Sequence, residues 1–272
     1  MSKSQNMVAQ YHELTDSQWE IIKEYLPIQR KRRYDLRIIL NAIFWILRTG
    51  SQWRNLDSKF PKWQLVYYYF RKWTLDGTIE TINWQLSQLE RLTWDKKKDP
   101  SLVCLDSQSV KIVPFTCEDV GIDGFKKVNG RKRHIVVDTL GLVVGVIVHA
   151  ANHFDSPKGI EVIARCDYRF DRLKKIIVDQ AYRGSFVDDI YDYFNGEIEV
   201  EVTSRNKRSS NFEIIPKRWI VERTFAIMTF FRRLSKDYEK TVIPHRINLY
   251  KMLITQLNVN NDKKILELGS GP

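Results

Sequence analysis

No apolar run in this chain of 272 residues reaches the length that a bilayer crossing demands, so no membrane span is expected. The first ten residues, MSKSQNMVAQ, lack the apolar stretch of a signal peptide. Cysteine is scarce. Cys104, Cys117 and Cys166 form an odd set without a Cys-x-x-Cys pair, which excludes a disulfide framework or a zinc ribbon and points to a reducing cytoplasm. Internal repeats and low-complexity segments are missing as well. Negative charge is in deficit: 44 Lys and Arg stand against 33 Asp and Glu, for a net charge of +11. The surplus is spread along the chain instead of gathered in a tail, which suits a surface for a polyanion. Hydrophobic residues, at 43%, suffice for a core, and the length allows one large domain or two ordinary ones.

Residues 1–12 read as a tail and 13–95 as helices only. LTDSQWEIIKEYL opens with a capping box from Thr15 to Gln18 and carries Trp19, Ile22 and Leu26 on one face. A second helix spaces Leu36, Leu40, Ile43 and Leu47 and stops near Gly50. Pro61 starts a third, with Val66, Phe70 and Trp73 in one stripe, and Asp76-Gly77 turns the chain into a fourth through Ile79, Ile82 and Leu86. Basic residues decorate this segment, among them Arg30, Lys31, Arg33, Arg54, Arg71 and Lys72. A helix-turn-helix entering a major groove is one reading, and a dimerisation bundle is the other.

DKKKDP (95–100) reads as a linker, and from 96 to 272 the pattern changes to strands. LVCLD is a continuous apolar run typical of a central strand. HIVVDT and LVVGVIVHA flank Leu140-Gly141 as a hairpin, with Asp138 as a turn former. SPKGIEVIARC reads as a helix, LKKIIVD as a buried strand, SFVDDIYDYF as a helix and EIEVEV as a half-buried or edge strand. A long helix, PKRWIVERTFAIMTFFRRL, opens at Pro216. The order predicts an α/β domain, a mixed sheet with helices on both faces, behind an all-α segment.

Asp106 and Asp179 each follow an unbroken apolar run, and Glu222 lies on the long helix. Charge at the mouth of a hydrophobic sheet needs a partner, and three converging carboxylates suit a divalent cation. Two Mg²⁺ or Mn²⁺ ions about 3.5–4 Å apart would relieve their repulsion and support in-line phosphodiester chemistry. Arg218, four residues before Glu222, pairs with it or reaches a phosphate. Lys111, Arg131, Lys132, Arg133, Arg183 and Arg205 are further candidates for phosphate contacts, with Lys126, Lys127, Lys207 and Arg208 near them. His149, His153 and Asp155 have some metal-site character, but their spacing across a strand end favours a polar loop.

The chain resembles bacterial insertion-sequence transposases of the DDE class, of the IS-five type. The resemblance is carried by LTDSQWEIIKEYLP, GSQWRNLDSKFPKWQLVYYYFRKW, LDSQSVK, GRKRHIVVDTLGLVV, VDQAYRG, and RWIVERTFA followed by FRRLSKDYE. It implies an RNase H-like catalytic fold over 96–272 behind a helical DNA-binding domain over 13–95. It also implies Asp106, Asp179 and Glu222 as the metal-binding triad. The signature Tyr-x₂-Arg-x₃-Glu-x₆-Lys is matched at Arg218 and Glu222, whereas Ile215 and Thr229 stand at its Tyr and Lys positions. The expected activity is cleavage at element ends and strand transfer into target DNA. The expected partners are terminal inverted repeats, target DNA and a second copy in a synaptic homodimer, in a nucleoid-associated cytoplasmic setting, with no membrane and no organic cofactor. An RNase H-like nuclease without joining activity and a domesticated, non-catalytic DNA-binding protein are the alternatives.

Overall fold

A computed structural model describes residues 13–116, 118–203 and 219–256. Four helices come first: α1 (Asp16–Ile22), α2 (Leu36–Thr49), α3 (Trp63–Leu75) and α4 (Thr78–Thr93). The predicted capping box is present on α1: the Thr15 hydroxyl accepts the Gln18 amide and the Gln18 side chain accepts the Thr15 amide. Asp35 caps α2 by accepting the Arg37 amide. Gly50 ends α2 at φ 71°, where a Cβ would also meet Arg232 Cβ at 2.9 Å. Only glycine satisfies both the left-handed backbone and the close approach.

The sheet follows: β1 (Leu102–Lys111), β2 (Gly121–Asp123), β3 (Val128–Asp138) and β4 (Val143–Ala150). Then come α5 (Asp155–Cys166), β5 (Lys175–Val178), α6 (Ser185–Tyr193) and β6 (Glu199–Val202). The strand order is β4-β3-β1-β5-β6, with β2 sharing the outer edge of β3. β1 is antiparallel to β3, while β1, β5 and β6 run parallel to one another. Among the described residues β6 pairs β5 alone, which makes EIEVEV the edge strand. The order and directions are those of an RNase H-like sheet, as expected. The run LVCLD predicts a strand that stops at Asp106. The strand instead continues to Lys111, because β3 keeps pairing with it as far as Gly130.

Alternation along the strands divides two cores. Cys104, Ile135, Val137 and Ile177 face α7 (Trp219–Met228), while Val103, Leu105, Val136, Ile176 and Val178 face α5 and α6. α7 is followed by α8 (Arg232–Ser235) and α9 (Val242–Gln256). The single helix expected to run through Leu234 is therefore broken. Thr229, Phe230 and Phe231 close tight turns onto the carbonyls of Ala226, Ile227 and Met228, and the chain redirects at Phe231. The expected start of that helix at Pro216 lies outside the described residues.

α9 joins the helical and strand segments. It packs on α2, α3 and α4 on one side and on β4 on the other. Its buried residues Ile247, Leu249, Tyr250 and Met252 belong to the same core as Ile39, Phe70 and Trp73 of the N-terminal helices. Asn83 donates to the Val143 carbonyl at 3.0 Å, and Arg91 pairs with the buried Asp138 at the β3–β4 turn. The change of composition at 95–100 thus marks a change of secondary structure within a shared core. Burying aromatic and aliphatic side chains such as Trp73 and Phe70 is worth about 1.5–3 kcal/mol each. No described helix is long and apolar enough to cross a membrane.

Candidate active site

Asp106 and Asp179 lie toward the same end of two parallel strands. The pairing runs as far as Cys104↔Ile177, and two residues further along come Asp106, within β1, and Asp179, the first residue past β5. Cys104 faces α7, so alternation along β1 turns Asp106 to that same side of the sheet. Both aspartates are half-buried. Asp106 accepts the Ser107 amide at 2.7 Å, and Asp179 accepts the Ala181 amide at 2.9 Å as the cap of a short turn. Paired carboxylate oxygens on adjacent strands fit a divalent cation that completes its shell with water and phosphate oxygens.

Glu222 is exposed on α7, the helix that packs against β1 and β3 on the Asp106 side. Val221, Phe225 and Met228 hold α7 to the sheet core, and Thr224 donates to the Gly141 carbonyl at 3.1 Å. α7 thus packs on the side of the sheet toward which Cys104 points, and Glu222 is on its exposed part. Among the described residues, however, no group of three or more His, Cys, Asp or Glu side chains is arranged to hold a metal ion.

A polar layer lies on the opposite face. Asp155, at the start of α5, accepts the Ser107 hydroxyl at 3.1 Å and pairs with Lys132 at 2.9 Å. His134 Nε2 stands 3.6 Å from the same carboxylate, and His134 Nδ1 meets the Tyr182 hydroxyl at 2.8 Å. Burial, then the nearby His149 and Lys132, push His134 well below the usual histidine range, so it is neutral. Burial, then the carboxylates of Asp155, Asp106 and Asp179, push the Tyr182 phenol well up. Tyr182 is thus a neutral phenol within electrostatic reach of all three aspartates. The sequence pattern had grouped Asp155 with His149 and His153. His149 instead turns Nδ1 to the Ala150 carbonyl at 2.8 Å, and burial lowers it to about 4. An Asp opening a helix directly after a strand was the available signal for Asp155, but its contact with Ser107 depends on the pairing of distant elements.

The basic candidates divide sharply. Arg131, Lys132 and Arg133 are buried, at 1%, 7% and 3% exposure, and are not surface phosphate contacts. Arg131 pairs with Asp237 and donates to the carbonyls of Glu118, Glu239, Lys240 and Thr241. Lys132 is taken by Asp155 and the His153 carbonyl, and Arg133 by Gln108 and the Leu234 carbonyl. In β3 the run Gly-Arg-Lys-Arg lies within the fold, where an uncompensated charge would be costly, so each cation is met by an internal acceptor. Lys111, at the end of β1, and Arg183, just after the Asp179 turn, are exposed. Arg205 and Arg218 lie outside the described residues.

Two family models match the chain. A model for a putative transposase of the IS4/5 family matches residues 14–83, and a transposase DDE domain model matches residues 97–249, more than half of the chain. An uncharacterized protein, y4sN, of Sinorhizobium fredii is 28% identical over 85 residues, covering 30% of this chain and 68% of that protein. The Mos1 transposase paired-end complex with left transposon end overlays 76% of this chain and 77% of that one, at 11% identity and a TM-score of 0.27. DDE transposases use divalent metal ions and act on DNA. The match over 97–249, on a sheet of this order, establishes that the chain belongs to the DDE-domain transposases and is a DNA transposase of the insertion-sequence type.

Proposed function

We propose that Asp106, Asp179 and Glu222 are the catalytic carboxylates, and that they hold two Mg²⁺ or Mn²⁺ ions while DNA is cut at the element's terminal inverted repeats and joined to a target. The observation that supports this reading is the parallel Cys104↔Ile177 pairing, with Asp106 and Asp179 each two residues further along its strand's direction. α7, packed on the same face, offers Glu222 as the third acid. Bound there, divalent ions supply charge for the attacking water or 3′-hydroxyl and for the leaving oxygen. The chain's own part is orientation. The Ser107 and Ala181 amides each fix one carboxylate oxygen, and the apolar residues beneath both aspartates hold the strands in place.

The helical segment over 13–95 is proposed to grip the DNA ends, supported by the exposed cations Arg30, Lys31, Arg33, Arg54 and Arg71. Two copies would pair the two ends, in the nucleoid-associated cytoplasm. The test is a cleavage-and-joining assay on labelled repeats that flank the gene. Asp106→Asn, Asp179→Asn and Glu222→Gln should each lower cleavage by three or more orders of magnitude while DNA binding persists, consistent with the scale of metal-ion catalysis. Mg²⁺ should raise the melting temperature of the wild type and not that of Asp106→Asn. A folded variant that cleaves normally excludes its residue, and cleavage in EDTA excludes the metal.

A further inference from the structure

The main-chain ladder between β1 and β5 ends at Cys104↔Ile177, two residues short of both Asp106 and Asp179. Pairing between those strands therefore leaves the relative position of the carboxylates to other contacts. Asp106 is held by β3, where it lies opposite Ile135. Asp179 has passed the end of β5 and opens the turn Gln180–Tyr182, in which the Tyr182 amide donates to the Asp179 carbonyl at 3.2 Å. That turn is anchored by the Tyr182 side chain, which is 0% exposed and packed in the core between the sheet and α5.

Tyr182 is fixed from three directions. Its ring meets that of Phe186 edge-on, with centroids 5.3 Å apart. On α5, Gly159 leaves room for it, because a Cβ there would lie 2.8 Å from a Tyr182 ring carbon. The hydroxyl meets His134 Nδ1 at 2.8 Å. His134 is itself fully buried, and its ring lies against that of His149 at 4.9 Å. In the β1–β3 ladder His134 stands opposite Ser107, so the partner of Tyr182 and the residue next to Asp106 are cross-strand neighbours. Ser107 bonds to Asp106 through its amide and to Asp155 Oδ1 through its hydroxyl, and His134 Nε2 faces the same Asp155 oxygen at 3.6 Å. Tyr182, His134, Asp155 and Ser107 thus connect the Asp179 turn to the Asp106 strand through the interior.

An apolar pair would fill this space without the cost of desolvating a phenol and an imidazole. It would supply no directional bond between the two segments. A neutral imidazole has one donor and one acceptor nitrogen, so with Nε2–H toward Asp155 the Nδ1 accepts the phenol proton. On the reading of Asp106 and Asp179 as metal-holding carboxylates, we propose that Tyr182 is a positioning residue. Its hydrogen bond to His134 fixes the turn carrying Asp179 against the strand carrying Asp106. Being fully buried, it reaches no DNA. Its effect runs through the placement of Asp179, and groups that orient metal-holding side chains in this way are worth about 10–100-fold in metal affinity.

The test uses the full chain. Mg²⁺ titrated into thermal melts without DNA gives a midpoint for stabilisation by the metal. Tyr182→Phe keeps the ring and removes the hydroxyl. Its metal-free melting temperature should fall by only a few degrees. Its Mg²⁺ midpoint should rise about 10–100-fold, and the Mg²⁺ dependence of cleavage should move by the same factor. Binding of a duplex copied from the repeat flanking the gene, measured in EDTA, should be unchanged. His134→Leu should reproduce the shift. His134→Asn, whose Oδ1 can accept the phenol proton in place of Nδ1, should restore most of the wild-type midpoint. A folded Tyr182→Phe with the wild-type midpoint overturns the proposal and leaves the hydroxyl a matter of packing. If Tyr182→Phe does not fold, equal midpoints in wild type and His134→Leu overturn it instead. A wild type whose melting does not respond to Mg²⁺ removes the metal reading of Asp106 and Asp179 first, and the proposal with it.

Discussion

Arg131 Nη1 lies 2.9 Å from Asp237 Oδ2, and the two side chains are 1% and 0% exposed. His245 stands 3.2 Å from the other oxygen of the same carboxylate, which also accepts the Glu239 amide. Burial alone would raise the Asp237 carboxyl, but His245, the Glu239 amide and Arg131 overcome it and hold it at about 2. Its folded value is below its unfolded one. The stability it contributes is therefore complete above about pH 4 and lost as pH falls through about 2. Asp237→Asn should flatten this acid limb in urea melts. Asp237→Ala should cost roughly 3–5 kcal/mol at neutral pH, because it leaves Arg131 buried without its counter-charge. Equal acid limbs in wild type and Asp237→Asn would count against the pairing.

The same burial separates two kinds of cation. Lys111→Gln and Arg183→Gln should leave the melting temperature within about a degree and weaken DNA binding, each reducing the slope of log affinity against log salt by about one. Arg131→Gln and Arg133→Gln should instead lower the melting temperature by several degrees, because each leaves buried acceptors without a donor. Salt titrations read beside thermal melts distinguish the two groups. A stable Arg131→Gln with a shallow salt slope would show that Arg131 contacts DNA after all.

Lys251 of α9 is fully buried in the core between the helices and the sheet, with Nζ 4.3 Å from the Phe70 ring centre. Burial lowers it to about 7, while Glu239 resists that shift. The folded state binds this proton less tightly than the unfolded chain does. Stability is highest above the ordinary lysine value of 10.5 and falls as pH drops toward about 7, below which the penalty is constant. Lys251→Met should therefore melt higher than wild type. The margin should be on the order of a few kcal/mol near neutral pH and should shrink as pH approaches the ordinary lysine value. A margin independent of pH would mean that the folded state binds this proton as tightly as the unfolded chain does.

A fragment of residues 13–95 should not fold cooperatively by itself. Its helices share their core with α9, and Arg48 and the Ser51 carbonyl are bonded to Phe230 and Arg233. Removing those partners exposes Ile39, Phe70 and Trp73. The fragment should show partial helicity by circular dichroism, no sharp melting transition, and aggregation. A sharp transition together with salt-sensitive DNA binding would restore the picture of an independent helical domain.

Local chemistry was legible in the residue order. The Thr15–Gln18 capping box, the Gly50 stop, the Leu140-Gly141 hairpin and the edge character of EIEVEV each follow from a few neighbouring residues, and each is present. The two aspartates could be picked out as charges closing apolar strands, a conflict visible in one dimension. α9 went unread, because a helix buried on several sides has little amphipathic contrast and carries polar residues such as Asn248 and Lys251 inside.

What the sequence by itself determined is the class of fold and the family, because these rest on periodicity, composition and short motifs. Only the tertiary structure decided which charges face outward. Arg131, Lys132 and Arg133 read like Lys111 and Arg183 in the chain, yet pairing with Asp237, Asp155 and Gln108 draws them inside. It also decided that β1 runs parallel to β5 with Cys104 opposite Ile177, a pairing that no local pattern spans. Strand register and counter-charge are properties of residues far apart in sequence, and they exist only once the sheet has closed.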